Sequence, residues 1–119
     1  MKRVIFVSIC FLIAVQSTIA QDKGYEEWYL KTKDTISIFV KEIKSASKDT
    51  VIVVHGGFGA NHDYMLDAIK GLESKFYFIL YDQRGSLLSP APVRKLTFQA
   101  NVNDLYELVD ELKLKKVKL

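Results

Sequence analysis

Apolar residues fall along this chain in three rhythms, and each predicts a different element. Over residues 35–41, Ile36, Ile38 and Val40 alternate with Thr35, Ser37, Phe39 and Lys41, mostly the period of a half-buried strand. Residues 27–32 read as its antiparallel partner at the sheet edge, with Lys33-Asp34 as a tight connection and Asp34 the better turn residue. Residues 51–54 and 76–81 are apolar without interruption, which suits strands buried on both faces of a mostly parallel sheet, the second of them central. Residues 98–114 set Val102, Leu105, Leu108, Val109 and Leu112 on one helical face, with Thr97 as a serviceable N-cap. A second helix runs from residue 61 to about 75 through Tyr64, Met65, Ala68, Ile69 and Leu72, capped by Asn61 or Asp63. Residues 45–50 and 82–92 are loops, and residues 115–119 begin a further strand. Hairpin, strand, helix, strand, loop, helix, strand is the order of an α/β fold with right-handed crossovers.

The first residues break this pattern. Lys2 and Arg3 precede an apolar run over residues 4–15, then Gln16-Ser-Thr-Ile-Ala20 and the polar Gln21-Asp22-Lys23. A basic start, about a dozen apolar residues and small residues at −3 and −1 (Thr18 and Ala20) describe a cleaved signal peptide over 1–20, shorter than the roughly 20 residues of a membrane span. The expectation is an exported protein, periplasmic or secreted, touching membrane only during export. Cys10, the one cysteine, lies inside this run, so residues 21–119 hold neither a thiol nucleophile nor a disulfide framework. Without Lys2 and Arg3 the formal charge drops from +3 to +1, with 15 basic residues against 14 acidic. That balance carries no nucleic-acid footprint, and the lysines over 113–118 alternate with apolar residues as in a solvated strand entry.

The chemistry concentrates after residue 54. His55-Gly-Gly-Phe-Gly59 separates a strand from a helix, and its glycines allow a turn that brings backbone close to a ligand or a neighbouring loop. One reading is a dinucleotide site, with Gly57-Phe-Gly59 opening the helix and Asp82 in place of the ribose-binding acid. Its third glycine would fall at position 62, which is His62. The other is an oxyanion hole, in which fixed N–H dipoles stabilise the negative charge that acyl transfer builds on a carbonyl oxygen. In α/β-hydrolases the loop after the third strand supplies one such N–H and the residue after the nucleophile supplies the other.

Two loops together identify a family resemblance. His55-Gly-Gly-Phe-Gly59 resembles a His-Gly-Gly-Pro-Gly loop, and Asp82-Gln-Arg-Gly-Ser-Leu-Leu-Ser89 resembles Asp-Gln-Arg-Gly-x-Gly-x-Ser. These are marks of the proline iminopeptidase-like branch of the α/β-hydrolases. Residues 97–112, with Asn101 and Asp104, also look like that family's helix before the nucleophile strand. The resemblance spans residues 28–119 and departs at Phe58, in place of proline, and Leu87, in place of glycine. It implies the N-terminal part of an α/β-hydrolase domain over 21–119, a mostly parallel sheet with an N-terminal antiparallel hairpin. The backbone N–H of Gly57 would be the oxyanion donor, with Phe58 second, while His55, Gly56, Gly59, Asp82, Arg84 and Gly85 would shape the loops. The implied activity is release of an N-terminal residue, or hydrolysis of a related amide or ester, with a small peptide or ester as substrate.

No Gly-x-Ser-x-Gly elbow occurs in the 119 residues, so the oxyanion half-site is expected without its triad. His55, Asp82 and Ser89 stand in the chain order of chymotrypsin-like triads, but those belong to β-barrels. His55 reads instead as a residue fixing loop backbone, and His62 as a solvated first-turn residue. His55, His62 and Asp63 have no usual metal-ligand spacing, so neither metal nor cofactor is expected. The alternative function is a non-catalytic truncated protein that binds a partner or ligand through the glycine loop.

Overall fold

The period-2 alternation near the start forms an antiparallel pair, β1 (Tyr25–Lys31) and β2 (Ser37–Ile43), in register Trp28 to Val40. A computed structural model describes residues 24–57 and 59–119; the signal-peptide reading of 1–20 and the site reading of Phe58 lie outside the described residues. The hairpin connection is longer than Lys33-Asp34 alone. Thr32 N–H donates to Ile36 O and the Thr32 hydroxyl accepts from Ile36 N–H, both at 2.9 Å, while Thr35 takes a positive φ of 76° between them. Ile36, Ile38 and Val40 are buried as the alternation requires, and Phe39 on the opposite face is buried as well.

The uninterrupted runs form β3 (Thr50–Val54) and β4 (Tyr77–Tyr81). The sheet order is β1-β2-β4-β3, with β4 central, antiparallel to β2 and parallel to β3. Among these strands the sheet is therefore mixed and mostly antiparallel, which corrects the expectation of a mostly parallel one. The cause is the placement of β2. The second arm of the hairpin sits directly against β4, so the β3–helix–β4 crossover supplies the one parallel pairing between named strands. On the outer side of β3, Ile52 N–H donates to Lys118 O at 2.9 Å and Lys118 N–H to Thr50 O at 3.0 Å, a parallel bridge where a further strand was expected.

One helix covers each face. Helix α2 (Phe98–Glu111) lays Leu108 onto Ile38, Val40, Ile52, Ile79 and Tyr81, flanked by Leu105, Val109 and Leu112. Its N-cap is Thr97, whose hydroxyl accepts from Ala100 N–H at 3.1 Å, the bond expected of a threonine in that position. Helix α1 (Asp63–Ile69) packs Ile69, Met65 and Leu66 against Val53, Phe78 and Leu80 on the other face. It is shorter than the 61–75 expected. Gly71, at φ 82°, turns the chain out of the helix, and its N-terminus carries no side-chain cap. Asn61 instead closes a local turn by accepting from Asp63 N–H at 3.1 Å. No helix among the described residues is long and apolar enough to cross a membrane.

Candidate functional site: the two loops at the ends of β3 and β4

Because β3 and β4 run parallel, the chain leaves both at the same edge of the sheet, which brings the glycine loop beside the loop after Tyr81. Three contacts hold the glycine loop. At its start, the buried His55 ring accepts from Gln83 N–H through Nε2 at 2.9 Å, and the Gln83 side-chain amide donates back to His55 O. Acceptance at Nε2 places the ring proton on Nδ1, which faces Gly56 O at 3.4 Å. The Ser86 hydroxyl approaches the same Nε2 at 3.3 Å, and no carboxylate among the described residues bonds to the ring. His55 thus acts as a clamp between loops.

The second contact is Gly56 N–H, which donates to the Tyr64 hydroxyl at 2.6 Å. The third is at the far end. Asp82, fully buried, accepts from both His62 N–H at 2.8 Å and His62 Nδ1–H at 2.7 Å, and its other oxygen takes Leu88 N–H at 3.3 Å. His62 is 3% exposed and lies against the Phe39 ring with centroids 5.0 Å apart, so the expectation of a solvated first-turn residue is wrong. The imidazole is drawn inward because an internal carboxylate needs donors from every direction it can find them. Nothing in the spacing of Asn61-His-Asp-Tyr64 signals this; Phe39 in the polar rank of its strand was the one hint.

Asp82 is therefore engaged by protein donors rather than open to a ribose, which removes the acid the dinucleotide reading relied on. The chymotrypsin-like alternative fails on geometry too. Asp82 pairs with His62 and not His55, and the buried Ser89 hydroxyl accepts from Phe39 N–H at 2.9 Å.

Arg84 organises the second loop. Its five N–H groups are all used: Nε and Nη2 on Asp104 at 2.7 and 2.5 Å, Nη1 and Nη2 on Asp34 at 2.9 and 3.1 Å, and Nη1 on Lys95 O at 3.1 Å. One guanidinium joins the hairpin turn, the loop and helix α2. Hydrogen bonds from Arg84 and the Thr32 hydroxyl hold the Asp34 carboxyl well below its ordinary value. Burial pushes the Asp104 carboxyl up, against the pull of the same guanidinium. The bonds to Asp104 raise Arg84 further above its usual range, so the arginine stays charged. Gly85 turns at φ 86°, and a Cβ there would meet Leu96 Cδ2 at 2.8 Å.

Between the loops and helix α2 lies a cavity of about 360 Å³ lined by Val54, His55, Gly57, Tyr81, Gln83 and, from α2, Phe98, Asn101, Val102 and Leu105. Burial, then the Asp104 charge, pushes the Tyr81 hydroxyl up to about 12, so it is a neutral wall. Gly57 and Gly59 take φ of 75° and 86°, and neither would have a neighbour within 4 Å of an added Cβ. With Gly56 N–H committed to Tyr64, Gly57 N–H is the amide of this turn that borders the cavity without an acceptor among the described residues.

No family model and no curated protein matches this chain. Solved structures do. A proline iminopeptidase-related protein from Thermus thermophilus superposes with a TM-score of 0.70 at 24% identity, over 78% of this chain and 34% of that one. An epoxide hydrolase from Vigna radiata gives 0.67 at 23% identity, over 81% of this chain and 30% of that one. An esterase from Exiguobacterium antarcticum gives 0.61 at 26% identity, over 75% and 32%. The chain spans about a third of the length of these structures.

Proposed function

We propose that this chain, whose fold is that of the α/β-hydrolases, carries the oxyanion half of a serine hydrolase site of the proline iminopeptidase-like kind. The whole protein would release an N-terminal residue, or cleave a related small amide or ester, through an acyl-enzyme. The observation that carries the reading is Gly57 N–H. Gly57 stands in the loop after β3 at a left-handed φ of 75° and lines the cavity, and its N–H has no acceptor among the described residues. As a serine attacks, charge grows on the substrate carbonyl oxygen; a fixed amide stabilises it with no reorganisation, and loss of one such donor costs roughly 100- to 1,000-fold in turnover. The second donor and the nucleophile would come from an elbow that these 119 residues do not include. The bridge at Lys118 supports its approach along the outer side of β3, next to the cavity.

Export is part of the proposal, resting on residues 1–20. The first experiment is the intact mass of the natural protein from its source, together with labelling by a serine-reactive phosphonate. We expect an N-terminus at Gln21 and labelling only of a chain longer than these residues. Labelling of residues 21–119 alone would overturn the claim that they hold no nucleophile. A labelled longer form that turns over no aminoacyl amide or ester would overturn the substrate class.

A further inference from the structure

We propose that His62 is a positioning residue of the oxyanion loop: bonded to Asp82, it fixes the far end of the turn and thereby the direction of Gly57 N–H. This rests on the oxyanion reading above for its consequence, though not for its geometry. Gly57 and Gly59 hold positive φ, and no described residue lies within 4 Å of where a side chain would begin at either. The hydrogen bonds that hold the described part of the turn lie at its two ends. The start is held by His55 on Gln83 and by Gly56 on Tyr64. At the other end the His62 backbone and ring both donate to one oxygen of Asp82.

The anchor is rigid for two reasons. Asp82 directly follows the central strand β4 and is itself tied to the hairpin, its N–H donating to Phe39 O at 3.0 Å. Phe39 then supplies the surface on which the His62 ring lies. Asp63, exposed, stands 3.3 Å from the outer nitrogen Nε2. The bond to Asp82 and the face against Phe39 together set the orientation of the ring. Arg84, two residues after Asp82 in sequence, is fully engaged with Asp34, Asp104 and Lys95 O and does not compete for Asp82.

The test compares His62→Leu, which keeps apolar bulk against Phe39 but removes the donor, with His62→Asn, whose amide nitrogen takes the place of Nδ1. Backbone 15N order parameters are measured in the 119-residue chain. In His62→Leu, Gly57 and Gly59 should fall from about 0.85 to below about 0.6 while Ile79 and Leu80 stay rigid; His62→Asn should restore the loop. A folded His62→Leu chain with unchanged order at Gly57 and Gly59 would overturn the proposal. Should His62→Leu fail to fold, the unmutated chain decides. A solvent-protected Nδ1 proton on His62 is expected, and its absence overturns the latch. None of these readouts depends on catalysis, so failure of the hydrolase reading would show in the labelling and turnover experiments alone.

Discussion

Replacing Arg84 by methionine tests whether the second loop is held by one ion-pair network. Arg84 is 2% exposed and Asp104 1%, so the substitution strands a carboxylate in the interior beside helix α2. Breaking a buried pair from one side costs about 3–5 kcal/mol, mainly because the remaining charge loses its partner. Asp34 adds little to that figure, since it is substantially exposed and its pairing is screened by solvent. Against a typical stability of about 5–15 kcal/mol, the variant should still fold but with a urea midpoint lowered by roughly 2 M.

Two controls separate this account from a packing effect. Arg84→Met with Asp104→Leu removes both charges, and apolar replacement of a whole buried pair is often neutral. The double variant should recover most of the loss. The pH dependence has a defined sign. Asp34, depressed in the folded protein, contributes stability above its ordinary value of 3.8 that is lost as pH falls through its folded value. Asp104, already raised by burial, rises further without Arg84, so folding of the variant takes up a proton and is favoured as pH falls. Both effects shrink the gap between unmutated and Arg84→Met chains on acidification. A single variant costing under about 1 kcal/mol, or a double variant costing the sum of its singles, would refute the network account.

Other substitutions probe the remaining supports. Asp34→Asn should flatten the loss of stability expected of the unmutated chain as pH falls from about 4 to 2, measured by urea titration across pH. Gly85→Ala combines φ 86° with a 2.8 Å approach to Leu96 and should cost about 2–3 kcal/mol. Adding Leu96→Ala should relieve the contact but not the backbone strain, so thermal melts should show partial recovery at most. Leu108→Ala, at a fully buried position on the sheet-facing side of α2, should cost about 2–5 kcal/mol by the same melts.

How much of this was legible beforehand depends on whether a residue's role is set locally. Ile52 and Ile79 announce buried strands through their apolar runs, the second of them central, and Leu105 and Leu108 announce a helix face, because burial of apolar side chains repeats with the period of the element. Thr97 could be read as a cap because its partner is three residues away. The antiparallel majority of the sheet could not, since it depends on which strand β2 chooses as neighbour, a decision taken between elements far apart in sequence. His62 was misread for the same reason. A histidine in a first turn looks solvated until Asp82 arrives twenty positions later to draw it in. Asp34 likewise reads as a turn residue and nothing more, yet its carboxylate reaches Arg84 fifty positions on.

These long-range contacts have one thing in common: each ties a loop to a carboxylate on a different element. Asp82 receives the glycine turn, while Asp34 and Asp104 receive the arginine loop. Glycines at positive φ give the turn its shape, and the apolar cluster under α1 contains Val53 and Leu80. A backbone amide can act as a preorganised dipole only if its direction is fixed before substrate arrives. In this chain that fixing falls to buried charge. Weakening the acid anchors should therefore disorder the site while the sheet beneath it survives, whereas removing Leu108 should weaken the sheet and site together.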